Sequence, residues 1–407
     1  GTVAAMGAYP FFQISGCTDP LAENYLLDAN VDDGSCIGSP VNSSDFTYAG
    51  ELDGHYYYRS LNPTGWISAK QSCENQSGHL VTIGSVEEND FIHNLLINNL
   101  ISGGWIGFTD KYPDRIIETP LAEDSVAGIC IGAALNGAYP INTHIRADFG
   151  LLIFNQLINL AAKYKYMFGG LFEIPSMYRM VIGKSWGQGA QHSQSLQSLM
   201  AHIPGLVVVM PADPKSIIQS YRYAIQKHKG PVVMLEHRLL YELNFEDDQT
   251  KLSHPLFGSK LEIEGSDITI IATSVMVLEA KRAAIHLKKN GISVELINLH
   301  SISHPDKKMI CKSVEKTGKM LVIDTSWTAY GVCAEMNRII NEYKPSILKV
   351  PTASMGMVSV PCPTAKALED MYYPDVHDIC YKVNKMVNED GSEIELPKKI
   401  SMTDFYK

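Results

Sequence analysis

The chain has 407 residues, 45% apolar and 19% charged, enough for two or three domains with full cores. A net charge of −10 without any cluster of Lys and Arg excludes nucleic acid as the main partner, because a phosphate-binding surface needs such a cluster. No apolar run reaches the ~18 residues of a membrane helix, and the opening G-T-V-A-A-M-G-A-Y-P-F-F lacks a basic start and a clear cleavage site, so neither a membrane span nor a signal peptide is expected.

The eight cysteines divide unevenly. Cys17, Cys36 and Cys73 stand among turn residues in the front, which reads as disulfide-permissive. Cys130, Cys311, Cys333, Cys362 and Cys380 stand in apolar contexts, which read as reduced. No C-x-x-C occurs, so a zinc ribbon or a thioredoxin-like site is not expected.

Residues 1–40 hold G-C-T-D-P-L-A-E-N-Y-L-L-D-A-N-V-D-D-G-S-C, which resembles a short repeat of secreted bacterial proteins. Cys17 and Cys36 close its ends and can pair. Asp28, Asn30 and Asp32 precede Gly34 at the spacing of calcium ligands, but the terminal bidentate Glu is missing, so an Asx-rich turn fits better. In residues 46–110, Trp66, Ala69 and Cys73 share one face of a predicted helix. A strand follows from Gly78, a second helix is capped near Ser85 with Glu88 three residues on, and Trp105 starts a core strand. With W-I-S-A-K-Q-S-C-E-N and G-G-W-I-G-F-T-D, this segment is similar to the first half of a C-type lectin-like domain, a partial α+β unit. The half that would carry the sugar and calcium ligands does not follow, and Cys73 has no family partner.

The texture changes after residue 111. Residues 122–137 are rich in Ala and Gly at helical spacing and predict a buried helix, and 141–145 a buried strand. Residues 156–167 predict another helix; 206–210 and 232–236 are short apolar runs typical of parallel strands. The polar stretch 246–251 leads to a second set: a strand at 267–273, a helix at 275–289, a strand at 292–298, then a helix and the strand K-M-L-V-I-D. Strands alternating with helices imply α/β layers, with the second domain the smaller and parallel.

Residues 114 to about 385 then carry a resemblance over some 270 positions in order. The pieces are R-I-I-E-T-P-L-A-E, F-N-Q-L-I-N-L-A-A-K-Y, G-Q-G-A-Q-H-S-Q, H-I-P-G-L-V-V-V-M-P-A-D and P-V-V-M-L-E, then E-G-S-D-I-T-I-I-A-T, G-I-S-V-E-L-I-N-L, K-T-G-K-M-L-V-I-D and G-V-C-A-E. They are similar to the beta subunit of thiamine-diphosphate-dependent 2-oxo acid dehydrogenases, as in the pyruvate and branched-chain complexes. The resemblance implies a transketolase-like pyrimidine-binding domain over 111–245, short of its front, and a transketolase C-terminal-like domain over 257–390.

The same resemblance implies the site. Glu123 matches the glutamate that shares a proton with the cofactor's pyrimidine ring, Phe149 an aromatic that packs on that ring, and Leu121 a residue near it. His192 matches the histidine that faces the reacting centre. Taken alone, Glu123 is a first-turn helix acid favoured by the dipole, Phe149 is core, and His192 is a loop histidine. The flanking matches favour the site roles.

The G-D-G motif that holds magnesium and diphosphate is absent, and in this family it belongs to the alpha subunit. The resemblance therefore implies an alpha subunit as partner, thiamine diphosphate shared with it, a lipoyl-bearing acyltransferase as acceptor and a 2-oxo acid as substrate. No metal ligand is expected on this chain: Gln226-Lys227-His228 departs from a loop that holds a structural cation in some members. The back half implies a cytoplasmic enzyme, while the front modules look extracellular. The join near G-F-T-D-K-Y-P-D reads as that of a fused or chimeric product. A secreted carbohydrate-binding or adhesion protein is the alternative that the front offers.

Overall fold

A computed structural model describes residues 15–26, 31–32, 35–37, 41, 44–61, 66–76, 78, 88, 91–92, 117, 119–184, 187–241, 243 and 256–402. The chain divides into two compact units, Gly1–Glu118 and Thr119–Lys407.

In the first unit, β1 (Ser15–Gly16) pairs in parallel with β2 (Val31–Asp32). Cys17 and Cys36 are disulfide-bonded, and Asn24 adds a second clasp, donating to Ser35 O (2.7 Å) and accepting from Ile37 N (2.7 Å). β3 (Phe46–Leu52) and β4 (His55–Ser60) form an antiparallel hairpin. Its two-residue turn, Asp53-Gly54, has positive φ at both positions (51° and 78°), as a turn matched to strand twist requires. Helix α1 (Trp66–Asn75) forms where the 3-and-4 spacing predicts it, and Cys73 is unpaired. The predicted strand from Gly78, the helix cap at Ser85, the strand at Trp105 and three of the four residues of the Asp28–Asn30–Asp32–Gly34 loop lie outside the described residues, as does the polar stretch 246–251.

The second unit begins with α2 (Glu123–Leu135), β5 (Ile141–His144), a 3-10 turn at Phe149–Ile153, a π-helical stretch at Asn155–Ala161 and α3 (Tyr164–Met167). The single helix expected over 156–167 is thus two pieces; the wide turn has Ala162 N donating to Leu157 O at 3.0 Å. β6 (Ser176–Ile182), α4 (Gln197–Ala201), β7 (Val207–Val209), α5 (Pro214–Gln226) and β8 (Pro231–His237) complete the first layer set. The strands make a parallel sheet in the order β5-β6-β8-β7. Central β6 and β8 are buried almost throughout, as parallel strands covered on both faces must be. α5 starts where sequence dictates: Asp213 accepts from Ser216 N (2.8 Å), Asp213 N donates to Ser216 Oγ (3.2 Å), and Pro214 fits the first turn.

Two expectations are corrected here. The 141–145 strand is not buried but lies at the sheet edge and alternates, with Asn142 and His144 inward and Ile141 and Ile145 exposed. The 122–137 helix is buried only along Ala127, Ile131 and Ala134; Ile129 on the opposite face is 70% exposed. One stripe of a helix suffices to cover a sheet, and nothing described in this unit lies on the other side.

β9 (Lys260–Ile263), β10 (Ile268–Ala272), α6 (Val275–Lys289), β11 (Val294–Asn298), α7 (Lys307–Thr317), β12 (Met320–Ile323), α8 (Val332–Tyr343), β13 (Ala353–Met355), α9 (Lys366–Glu369) and α10 (Val376–Val387) follow. Their sheet runs β13-β12-β10-β11-β9, parallel apart from β9, which pairs antiparallel at the edge. The two sheets touch: Met210 N donates to His300 O (2.8 Å), and Val209 bridges Ser301. One apolar core therefore runs from Ile131 and Tyr178 to Val322 and Met336.

Candidate active site

The site grows from the end of β5 and the segment after it. Arg146, Ala147 and Asp148 turn the chain into the 3-10 turn that starts at Phe149, and Ala147 N is held by Val181 O at the end of β6 (2.9 Å). Gly150 packs closely here: a Cβ would stand 2.7 Å from Met180 Sδ, so a larger residue would have to displace the end of that side chain. This places Phe149 at the rim, 39% exposed.

Opposite it runs the segment 187–197. Gly187 and Gly189 have φ of +65° and +72° and press on Thr364, so close that a Cβ on either would lie 2.9 Å from a Thr364 oxygen. The chain turns there and brings His192 back over Phe149, with ring centroids 5.4 Å apart and planes at 80°. Asp148 Oδ1 accepts from Gln194 Nε2 (2.9 Å) and from Gln194 N (3.4 Å). Gln188 accepts from Arg146 and, at 3.3 Å, from Arg238 Nη1. Further along, Ser326 Oγ donates to Ser195 O (3.0 Å), and Gln197 Nε2 donates to Asp324 Oδ1 (3.0 Å) and Thr325 Oγ1 (3.3 Å).

Glu123 opens α2, which packs on β5 and the Phe149 turn. Its carboxylate is felt by His144, which burial holds in the neutral form while the Glu123 charge opposes that effect. His144 is buried, and its Nε2 finds no partner among the described residues; nor do Arg146 Nη1 and Asp148 Oδ2. Leu121 is 96% exposed and is not packed on the others. The structure thus joins Phe149 with His192 and sets Glu123 beside the same strand end, leaving Leu121 at the surface.

Sequence reasoning missed the layer beneath. Lys184 is buried, donates to Glu369 O (2.5 Å) and lies over the Tyr373 ring (5.6 Å). Burial depresses its ammonium pKa, against the pull of Glu369 and Asp370. His237 is fully buried at the end of β8, 3.4 Å from Tyr373 Oη, and its pKa falls to about 3 through burial and the Lys184 and Arg146 charges. Arg179 grips Glu236 with Nε (3.0 Å) and Nη2 (2.6 Å), and Tyr221 and Tyr241 donate to the same carboxylate. Only Arg179 within β6 and Glu236-His237 at the end of β8, inside otherwise apolar strands, hinted at this layer.

An aromatic face edged by an imidazole, with a carboxylate at a helix start and unmet buried polar atoms behind, is a set that can hold and polarise a flat heteroaromatic ring. It fits the pyrimidine end of thiamine diphosphate, not the diphosphate end.

Family comparison agrees. Residues 77–244 match the transketolase pyrimidine-binding domain and 259–379 the transketolase C-terminal domain. The first match begins at residue 77, upstream of residue 111. Pyruvate dehydrogenase E1 component subunit beta of cattle is 39% identical over 291 residues, spanning 69% of this chain and 80% of that protein. Subunit beta-2 of rice is 37% identical over 292 residues, 69% and 77%. The chain belongs to the E1 beta-subunit family.

Within the same reach lies the beta subunit of acetoin:2,6-dichlorophenolindophenol oxidoreductase from Cupriavidus necator, 34% identical over 287 residues, 70% of this chain and 85% of that one. Among solved structures, a split-gene transketolase described as an inactive beta4 tetramer superposes with a TM-score of 0.56 at 20% identity, over 69% of this chain and 86% of its own; it speaks for the fold alone. The E1 beta-subunit fold, two α/β domains of parallel strands, is the one described above. No helix among the described residues is long and apolar enough to cross a membrane.

Proposed function

We propose that this E1 beta-type chain forms half of a thiamine-diphosphate-dependent 2-oxo acid dehydrogenase, with an alpha subunit supplying the magnesium and diphosphate half. The observation that carries the reading is the Phe149–His192 pair beside the helix that begins with Glu123.

Thiamine diphosphate, when bound, supplies a carbon nucleophile and an electron sink for decarboxylation. Glu123, at a helix start that favours its charge, would share a proton with a ring nitrogen of the pyrimidine. Phe149, whose ring is half-exposed, would pack on the pyrimidine, whereas Leu121, at the surface, takes no part in holding it. His192, held against Phe149, would stand near the reacting end of the substrate, where its imidazole could donate a hydrogen bond to a substrate oxygen and move a proton, with a lipoyl group on an acyltransferase as the acyl acceptor. Nearby, neutral His237 and buried Lys184 keep the floor of the site rigid and dry.

The likeness to an acetoin-oxidising beta subunit favours a second substrate class, an acyloin, handled by the same residues. The reading sets the reaction in the cytoplasm and treats 46–110 as a lectin-like leader outside it. Titrating thiamine diphosphate into the full chain, a cognate alpha subunit and their mixture tests it. The mixture alone binds and releases carbon dioxide from a 2-oxo acid; a mixture that assembles yet neither binds nor turns over defeats it.

A further inference from the structure

We propose that Asp148 is a positioning residue for His192: through Gln194 its carboxylate fixes the imidazole edge-on to Phe149. The inference deepens the function proposed above and rests on it for the role of His192, but not for the geometry.

Asp148 and Phe149 are neighbours, and so are the residues of the segment His192, Ser193 and Gln194. The two segments are joined twice, by the Phe149–His192 ring contact (5.4 Å) and by two hydrogen bonds from Gln194 to Asp148 Oδ1 (2.9 and 3.4 Å). A closed ring of five residues results, with little freedom left to the imidazole. The bond from the Gln194 amide is charge-assisted and lies where Asp148 is 8% exposed, so water competes poorly for it. Arg146, two residues back, offers the compensating charge that keeps such a carboxylate inside.

The other side-chain anchors of this segment flank His192 at a greater distance along the chain: before it, Gln188 accepts from Arg146 and Arg238. After it, Ser195 and Gln197 are tied to Ser326, Asp324 and Thr325, whereas residues 187–189 turn on two left-handed glycines. Gln194 is the tie next to His192, so the imidazole depends on Asp148 more than on any contact further along.

The test uses the full chain, alone and with its alpha subunit, carrying Asp148→Ala, Gln194→Ala, both together, and Asp148→Asn. Labelled-histidine NMR of the chain reads the His192 ring protons, which the Phe149 ring current displaces. Either alanine variant is expected to move the His192 signal toward that of a free imidazole and to lower kcat about 10- to 100-fold, as small misplacements of reacting groups do. Thiamine diphosphate affinity should stay within about threefold, because the ring-holding groups remain. The double variant should be no worse than either single one, and Asp148→Asn, whose Oδ1 still accepts from Gln194, should recover most of both losses. An unmoved His192 signal in Gln194→Ala, or losses that multiply in the double variant, overturns the proposal. Should Asp148→Ala fail to fold, Gln194→Ala carries both readouts. Should the wild-type complex show no turnover, the thiamine reading fails and the NMR signal alone decides the positioning.

Discussion

Phe149 meets His192 edge to face, with centroids 5.4 Å apart and planes at 80°. Forty-three positions separate them, and two unrelated turns bring them together: the 3-10 turn after β5 and the glycine turn at 187–189. The T-shaped contact leaves Phe149 39% exposed, which suits a ring that must both receive a cofactor and hold a histidine.

That exposure separates a pocket role from a core role. Phe149→Ala should weaken thiamine diphosphate binding by the reconstituted complex about 10-fold, while urea unfolding of the chain shifts by less than about 1 kcal/mol. A large loss of stability with unchanged affinity would make Phe149 a core residue.

Arg179 and Glu236 predict a stability effect away from the pocket. Glu236 is 4% exposed and relies on Arg179 with two tyrosines. Arg179→Met strands that carboxylate and should cost about 3 kcal/mol in denaturant unfolding. Replacing Glu236 by Gln in the same background should return part of the loss, because the stranded charge is gone.

His237 predicts a pH effect. Its folded pKa, about 3, lies below the unfolded value of 6.5, so the unfolded chain binds a proton that the folded one refuses. The stabilisation is complete above pH 6.5 and drains as pH falls toward 3, by about 1.4 kcal/mol per pH unit from this one group. Urea titrations between pH 6 and 4 should show a slope shallower by one proton in His237→Asn. An unchanged slope would mean that His237 is protonated in the fold.

Gly183 joins β6 to Lys184 with φ +95°, and a Cβ there would lie 2.2 Å from His237 Nε2. Gly183→Ala therefore combines backbone strain with a clash in a packed floor and should cost about 3 kcal/mol. Thermal unfolding of the purified chain reads it directly; a shift of less than a degree would show that β8 yields.

Much of this was legible in the residues. Helix α6 was bounded by Val275 and Lys289 from spacing alone, because its apolar stripe is long and regular. β10, β11 and β12 read as parallel strands from short, mostly apolar runs set between helices. Central β6 was missed: Tyr178 and Arg179 interrupt its apolar run, and the Glu236 that receives Arg179 is 57 positions away. The edge position of β5 was illegible because Ile141 and Ile145 look like core, whereas both face outward. Of the site, Glu123, Phe149 and His192 could be named only by likeness to a family. Asp148 and Gln194, which tie the Phe149 segment to the His192 segment, carry no pattern that periodicity detects.

The central claim is that Glu123 handles a proton of the cofactor. Carbon dioxide release from a 2-oxo acid, by the chain assembled with a cognate alpha subunit, tests it with Glu123→Gln against wild type. The account predicts intact assembly and a rate lower by about 100-fold or more, the usual contribution of a placed proton-transfer group. A Glu123→Gln complex that turns over within a few-fold of wild type would contradict it.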